Sequence, residues 1–576
     1  MWRKYSSISN LSLALIAILI LASCTPAPRP TETSPATAIS TEISPSQPAT
    51  TSAPTETSRP AGKRTAVFTL AQEFDLLNPL YSSLWYSTIT HQIWNCWAWD
   101  FDDQNNPRPV LVKEIPSTAN AGLSTDGLTL TMKLRDDILW SDGTPLTAAD
   151  FVFTYQMAVD PLNSVAAALF EKVQSVQAPD DRTVVVTFSE PYAAWLSTLW
   201  HGLLPAHVLQ PVYQEKGTLD GAEWNKAPTV GCGPYVFQEW QAGQYARFTA
   251  NEKYWLGRPK IDEVTIRFLS DDAAQIAALK NGQADLGTMF SYTQIPELEA
   301  AGVKVLTIFS GYNEGLFFYL DPLNGHPALQ DVRVRQAIAL ALDRQAMIRD
   351  FLSGIPKPAI SYWDNTPYID PVLQPWPFDP ERAKNLLDEA GWVDSNNDNV
   401  RDKEGIDLLL TYGTTNKEVR KLTQQYIQGQ LTDLGIRLEL LNYDDNIFFS
   451  SFGMGGPAAA GQLDIFQLAP RSNFPDPSTA DFYCSQAPSM DNLNGVNWSG
   501  LCDEDLEQLF QAQSTQVDFA ARQQTFWQIS QMIYEKVYFL GLWQDPDLWG
   551  VSPGLTNVRI SGITPFFNII EWDKAP

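Results

Sequence analysis

The chain has 576 residues, of which 44% are apolar and 18% are charged, as in an ordinary globular protein. Its formal net charge of −27 argues against nucleic acid, or an anionic membrane face, as a partner. After the N-terminal region no apolar run reaches about 18 residues, so the body is not expected to cross a membrane.

The first 23 residues have the layout of a secretory signal. Arg3 and Lys4 give a basic start, and an apolar run extends from Leu11 to Ala22. As a helix, this run of about 12 residues would reach roughly 18 Å, against roughly 30 Å of bilayer hydrocarbon. We therefore expect a signal peptide over residues 1–23 and not a membrane span.

The run ends in Leu-Ala-Ser-Cys, with the cysteine at position 24, which resembles the lipobox of bacterial lipoproteins. The resemblance implies cleavage before Cys24 and acyl chains on its thiol and new amine. The alternative is an ordinary signal with a chance cysteine. Residues 25–62 are rich in threonine, serine and proline and cannot bury enough surface to offset chain entropy. We predict a lipidated, disordered tether over residues 24–62 that holds an extracytoplasmic body to the cell membrane through lipid alone.

The body, residues 63–576, is too long for one simple core and predicts two or more packed lobes. Its patterns indicate mixed α and β structure without strict alternation. Thr147 and Asp150 indicate the start of a helix, as do Asp379 and Pro380. The predicted strands are 128–134, 183–188, 246–250 and 264–269, and the predicted helices begin near 147, 331 and 379, the second as one long helical region over 331–352.

Four cysteines remain in the body after Cys24 is set aside. An even number of cysteines outside the cytoplasm permits disulfides. Cys484 and Cys502 enclose a loop with glycine, asparagine and aspartate, and we predict that they pair. Cys96 with Cys232 is the second pairing, and free buried thiols are the alternative.

Several segments then carry a resemblance. Residues 133–153 are similar to the signature of the family 5 extracellular solute-binding proteins, the oligopeptide- and dipeptide-binding receptors of ABC importers. Residues 230–235 resemble the Gly-Thr-Gly-Pro-Tyr motif of this family, with Cys232 in place of threonine. Further matches, in the same order as in the family, are residues 251–262, 331–344 and 378–392.

The resemblance implies a mixed α/β, two-lobed fold of the periplasmic-binding-protein type, with a ligand closed between the lobes. Lobe 1 would comprise residues 63–310 and 531–576, with an extra subdomain at about 102–195. Lobe 2 would comprise residues 311–530. Such a receptor works by hinge closure, because a ligand that touches both faces stabilises the closed form.

This function requires no catalytic group, and we predict that the chain is not an enzyme and needs no cofactor. The motifs His-Glu-x-x-His, Gly-x-Ser-x-Gly and the phosphate loop are missing from the sequence. The four histidines are scattered, which is typical of structural residues. A secreted hydrolase stays open as an alternative function.

One acidic stretch has the spacing of a calcium loop. Asp394, Asn396, Asp398 and Asp402 fall at positions 1, 3, 5 and 9 of the pattern, but Asn399 and Gly405 replace its glycine and its glutamate. A structural calcium site is one interpretation, and a solvated acidic turn is the other.

The family resemblance implies a peptide solute whose amine is neutralised by an aspartate just before an Asp-Pro pair, here Asp476 and Pro477. At that place the sequence has Ser472 and Asn473, and a neutral amide would not offset a buried ammonium. Free-amine peptides are therefore in doubt, and an oligosaccharide is the alternative solute.

The 19 tryptophans keep that alternative open, because aromatic faces suit sugars as well as peptide side chains. Trp85, Trp94, Trp97 and Trp99 lie near a segment expected to line the cleft. The partners we predict are the solute and the permease subunits of an importer, and we predict a monomer. The predicted ligand contacts are Glu73, Trp140, Arg471, Asn473, Asp476 and Trp543.

Overall fold

In the computed structural model the described residues are 62–165, 169–288, 291–470 and 476–575. The signal, Cys24 and nearly all of the predicted tether lie outside them, as do Arg471 and Asn473. Residues 61–576 fall into one compact unit.

Strands and helices are interspersed along the described chain, as the mixed α/β prediction expects. The strands are β1 (Thr65–Leu70), β2 (Trp99–Phe101), β3 (Pro107–Pro109), β4 (Thr129–Lys133), β5 (Val173–Asp180), β6 (Thr183–Phe188), β7 (Tyr235–Gln241), β8 (Tyr245–Ala250), β9 (Glu263–Phe268), β10 (Leu286–Thr288), β11 (Lys304–Phe318), β12 (Lys357–Pro358), β13 (Asp402–Lys403), β14 (Ile406–Asp407), β15 (Leu409–Thr415), β16 (Arg437–Tyr443), β17 (Ile465–Leu468), β18 (Phe539–Val551), β19 (Leu555–Thr556) and β20 (Asp573–Lys574). The α-helices are α1 (Trp85–Trp94), α2 (Ala148–Val159), α3 (Trp195–Thr198), α4 (Ala206–Lys216), α5 (Asp272–Lys280), α6 (Ile295–Ala300), α7 (Pro327–Gln330), α8 (Val332–Ala341), α9 (Arg344–Phe351), α10 (Pro380–Glu389), α11 (Glu418–Thr432), α12 (Asp445–Phe448), α13 (Glu504–Ser514) and α14 (Phe519–Lys536).

The predicted local signals are confirmed where they are strongest. Thr147 and Asp150 form a reciprocal capping box at the start of α2. Asp379 caps α10, with Pro380 at its first position. The long helical region at 331–352 is instead two helices, because Asp343 leaves the helix and its side chain accepts a hydrogen bond from the backbone of Ala346.

A large sheet of 11 strands organises the body. Its order is β16-β15-β17-β11-β18-β10-β1-β9-β8-β7, and β12 pairs with β18. The long antiparallel pair β11 and β18 stands between two groups of strands. The C-terminal part of β11 pairs with β17, and that of β18 pairs with β10, so this pair joins both halves of the sheet.

Buried apolar side chains form separate clusters on the two halves. One cluster lies around β11, β17 and α8 and includes Phe317 and Trp363. A second lies around β1, β9 and the C-terminal segment and includes Phe68 and Trp572. A third surrounds the three-stranded sheet β4-β6-β5 and includes Trp140.

Both predicted disulfides are present. Cys484 pairs with Cys502 across 18 positions, and Cys96 pairs with Cys232 across 136. The bond between Cys96 and Cys232 joins the chain just after α1 to the segment before β7.

Candidate functional site

A cavity of about 390 Å³ lies beside the middle of β11, where the two halves of the sheet meet; we call it the central cavity. Its size is within the range of ordinary ligand pockets. It is lined by Trp85, Thr88, Ile89, Trp97, Leu169, Ala194, Ser197, Thr198, His201, Ser310, Tyr312, Asp476, Pro477, Ser478, Gly562 and Ile563.

An irregularity in β11 brings Ser310 to this cavity. Ile308 pairs with Asp547 and Tyr312 pairs with Asp545, so three residues of β11 stand opposite one of β18. Gly311 sits inside this bulge at a φ of 94°, where a side chain would be strained. The bulge lies between the part of β11 that serves one half of the sheet and the part that serves the other.

Two aromatic rings in the lining of the central cavity stack on each other. The rings of Trp97 and His201 are parallel, with centroids 4.2 Å apart. The turn that carries His201 has an unusual backbone, because Trp200 before it has a φ of 62°, which is rare for a bulky residue. Such strain persists only where the surroundings enforce it, and here Phe151 and Phe170 clamp the Trp200 ring.

Polar atoms of three lining residues have unused hydrogen-bonding capacity. Trp97 Nε1, His201 Nε2 and Ser310 Oγ are buried and have no hydrogen-bond partner among the residues that the structure describes. Burial lowers the pKa of His201 to about 4, so its ring is neutral at neutral pH. Buried polar groups without partners are costly, and a solute in the cavity could supply the missing partners.

The one carboxylate in the described lining is already paired. Asp476 accepts hydrogen bonds from both terminal nitrogens of Arg522, one of them at 3.1 Å. Burial opposes the charge of Arg522, but the charge and hydrogen bonds of Asp476 raise its pKa overall. Arg522 is held in turn by Gln513 and by the hydroxyl of Tyr368.

Of the predicted ligand residues, Asp476 lines the central cavity and three others lie elsewhere. Glu73 accepts 2.8 Å hydrogen bonds from Trp240 Nε1 and from the backbone of Gly243, so it fastens the β7–β8 hairpin. Trp140 is fully buried in the third cluster. Trp543 is buried on β18 and donates to Asp545.

The tryptophans near α1 divide into two kinds. Trp85 and Trp97 line the central cavity, whereas Trp94 and Trp99 are completely buried in core clusters.

Ser310 and His201 line the cavity but are not among the residues predicted from the sequence. The signals for them were the glycine that follows Ser310 and the unusual Trp-His-Gly turn.

The predicted calcium loop does not form a cation cage, and this corrects that interpretation. Asp394 accepts hydrogen bonds from the backbone of Asp398 and Asn399, and Asn396 also accepts from Asp398. Asp402 turns away to the backbone and hydroxyl of Ser395. Across the described ranges, no group of three or more His, Cys, Asp or Glu side chains is arranged to hold a metal. The carboxylates of Asp394 and Asp402 accept hydrogen bonds from within the turn itself, as the alternative interpretation of a solvated acidic turn expects.

The central cavity, with its aromatic rings and unpartnered polar groups at the junction of the two sheet halves, has the features of a site that binds a solute. The chain belongs to the bacterial extracellular solute-binding proteins of family 5, whose middle-region model matches residues 106–487. Proteins of this family bind solutes for transport and are not enzymes, which confirms the prediction and removes the hydrolase alternative. None of the described helices is long and apolar enough to cross a membrane.

Named relatives agree with this membership. A Brucella ovis protein named as an ABC transporter peptide-binding protein is 32% identical over 369 residues, which are 62% of this chain and 65% of that protein. The oligopeptide-binding protein AppA of Bacillus subtilis is 28% identical over 380 residues, 63% of this chain and 66% of AppA. The chain therefore matches about two thirds of the length of these relatives.

Solved structures confirm the two-lobed fold. The substrate-binding protein CtaP of Listeria monocytogenes superposes with a TM-score of 0.75 at 24% identity, over 89% of this chain and 100% of CtaP. NikZ of Campylobacter jejuni, solved with Ni(L-His), gives 0.70 at 24% identity, over 88% and 99%.

Proposed function

We propose that this chain captures a peptide-like solute in the central cavity and delivers it to the permease of an ABC importer. The observation that carries the proposal is the position of the cavity at the bulge of β11, between the two halves of the sheet. A solute there would touch Trp97 and His201 of the proposed lobe 1 and the segment 476–478 of the proposed lobe 2. Such bridging contacts favour the closed form, which is the state an importer would recognise.

The division into lobes is part of this proposal. Lobe 1 would be residues 63–310 and 531–576, with its subdomain at about 102–195, and lobe 2 residues 311–530. Separate buried clusters on each half support a division into two lobes, although the cluster around β11 and β17 extends into residues 533–543 and so does not support the boundary at 530. The paired strands β11 and β18 would then be the connection about which the lobes move.

Peptides are the favoured solute class because of the relatives' names. The Brucella ovis and Bacillus subtilis proteins are both named for peptide binding, and AppA has been solved with a nonapeptide. An oligosaccharide is the second candidate, because Trp85 and Trp97 line the cavity and aromatic side chains suit sugars as well as peptide side chains.

We further propose that Cys24 carries lipid and that residues 25–62 tether the receptor at the extracytoplasmic face of the membrane. The support is the sequence pattern of a signal followed by Leu-Ala-Ser-Cys. A tether raises the local concentration of the receptor near its permease without any new contact.

Native mass spectrometry of the body, residues 63–576, tests the capture of solute. The protein is mixed in turn with a ladder of peptides of two to nine residues and with a ladder of hexose oligomers. We expect one-to-one adducts with peptides. Adducts with hexose oligomers alone would identify the solute as an oligosaccharide, the second candidate. The absence of adducts with both ladders would contradict the proposed function.

A further inference from the structure

A second cavity adjoins the central cavity and differs from it in chemistry. This apolar pocket of about 360 Å³ is lined by Phe317, Phe449, Phe466, Leu468, Ala469, Pro470, Ser478, Ala480, Asp481, Val496 and Trp498. Ser478 lines both cavities. The chain from Asp476 to Asp481 therefore runs from one cavity directly into the other.

Ring stacking, a disulfide and side-chain hydrogen bonds hold the walls of the apolar pocket in place. Phe317 and Phe466, on neighbouring strands of the large sheet, stack with centroids 5.2 Å apart. The Trp498 ring lies 6.5 Å from both Phe466 and Phe449. The loop that carries Val496 and Trp498 is enclosed by the Cys484–Cys502 disulfide, and the amide of Asn497 ties it to the carbonyls of Tyr483 and Leu501.

The mouth of the pocket exposes apolar surface that nothing in the described chain covers. Phe449 is 45% exposed and Val496 is 41% exposed, although both are apolar. Exposed apolar residues that line a concave surface are typical of binding sites. Because the pocket opens beside the central cavity, an apolar part of the captured solute is the occupant that the geometry favours.

The charges of the residues that line the two cavities restrict the chemical class of the solute further. Asp476 is paired with Arg522, and Asp481 accepts a hydrogen bond from the hydroxyl of Tyr362. His201 is neutral, and the other described lining residues carry no charge. In the central cavity the one described carboxylate is already paired with Arg522, so a buried ammonium there would lack an anionic partner and is strongly disfavoured.

We propose, on the basis of the function proposed above, that the apolar pocket is a subsite of the central cavity and that the solute is amphipathic. A bulky aromatic or branched group of the solute occupies the apolar pocket. An uncharged polar group lies in the central cavity, where it accepts from Trp97 Nε1 and bonds to Ser310 and His201. A free amine contributes nothing to this recognition.

Calorimetry with matched tripeptides tests the inference. One series carries phenylalanine, leucine, alanine or lysine in turn at each position, with the other two positions alanine. Each peptide is made with a free and with an acetylated N-terminus. We expect the best acetylated phenylalanine peptide to bind at least tenfold more tightly than the all-alanine peptide. Acetylation should change affinity less than threefold.

Two variants identify the pocket as the source of the preference. Val496→Lys places a charge at its mouth and should abolish the tenfold preference for phenylalanine. Val372→Lys, at a valine that is 71% exposed and lines neither cavity, is the matched control and should retain the preference. Both positions are exposed, so both variants should fold.

The results that would overturn this inference differ from those that would overturn the proposed function. A tenfold advantage for lysine or for the free amine, or an unchanged phenylalanine preference in Val496→Lys, would overturn the inference while solute capture itself stands. If no peptide of the series binds, the peptide part of the proposed function fails and this inference fails with it.

Discussion

At the scale of single residues, the central cavity contains groups whose stability cost suggests a role in binding. Ser310, His201 and Trp97 each have a buried polar atom without a partner in the described structure. A protein selected for stability alone would replace or satisfy such groups, since each costs about 1–3 kcal/mol. Under the proposed function, a solute in the central cavity would complete the hydrogen bonds of these three groups, all of which line it.

Ser310→Ala should therefore separate stability from binding. Removal of a buried hydroxyl without a partner should leave the unfolding free energy unchanged or raise it by about 1 kcal/mol. The same change should weaken solute binding by roughly tenfold, because a hydrogen bond to the solute is lost. Urea unfolding and calorimetry check the two parts, and loss of stability with unchanged affinity would show that the hydroxyl is structural.

Buried histidine makes stability depend on pH. His91 is almost completely buried, and burial lowers its pKa to about 4. The unfolded chain takes up a proton near pH 6.5, whereas the folded protein does not until about pH 4. The stability from neutral His91 is thus complete above pH 6.5 and is lost as the pH falls toward 4, by about 3 kcal/mol.

Urea unfolding at several pH values between 7 and about 4.5 measures this loss. His91→Gln should remove most of the His91 contribution and leave the smaller slope due to His201, whose pKa is also lowered by burial. Equal slopes in wild type and variant would mean that His91 is solvated in the folded protein.

At the scale of elements, the two disulfides should differ in their contribution. In the chain-entropy model a bond that closes about 15 residues contributes about 3 kcal/mol, and one that closes about 100 contributes nearly 5. Paired serine substitution of Cys96 and Cys232 should therefore lower the unfolding free energy more than that of Cys484 and Cys502. The reverse order in urea unfolding would show that native packing, and not loop closure, sets the contribution.

Local signals in the sequence explain which elements could be predicted. The capping box at Thr147 and the Asp379–Pro380 start act within one turn, so they were visible without the fold. The break at Asp343 was missed because the apolar pattern continues through it. Ser310 and His201 were missed because their meeting depends on a strand bulge and a strained turn far apart in sequence.

The predicted ligand residues show the same limit of prediction from local sequence signals. Asp476 was found through its Asp-Pro motif, but its pairing with Arg522 could not be read from the sequence, since 46 positions separate them. Residue type alone favours Trp140 and Trp543 as ligand contacts, but both are buried core residues in the structure. Residue type alone does not distinguish an aromatic cavity wall from an aromatic core.

At the scale of the whole molecule, anchoring and capture should be separable. Cys24→Ser should move the protein from the membrane fraction to a soluble fraction or the medium, because the acyl chains have no attachment point. Solute affinity should be unchanged, since every residue assigned to the cavity lies in the body. Fractionation followed by calorimetry checks both parts, and a variant that stays in the membrane would show that the apolar run is itself the anchor.

The central claim is that solute is held in the central cavity between the two lobes, and one variant addresses it directly. Ser197 lines the cavity, and Ser197→Trp would place a bulky ring in it and obstruct the solute. Ser485→Trp adds the same bulk at an exposed position that lines neither cavity. Native mass spectrometry of the three proteins with the best-binding solute should show a one-to-one adduct for wild type and Ser485→Trp and none for Ser197→Trp. An equal adduct in Ser197→Trp would contradict the account.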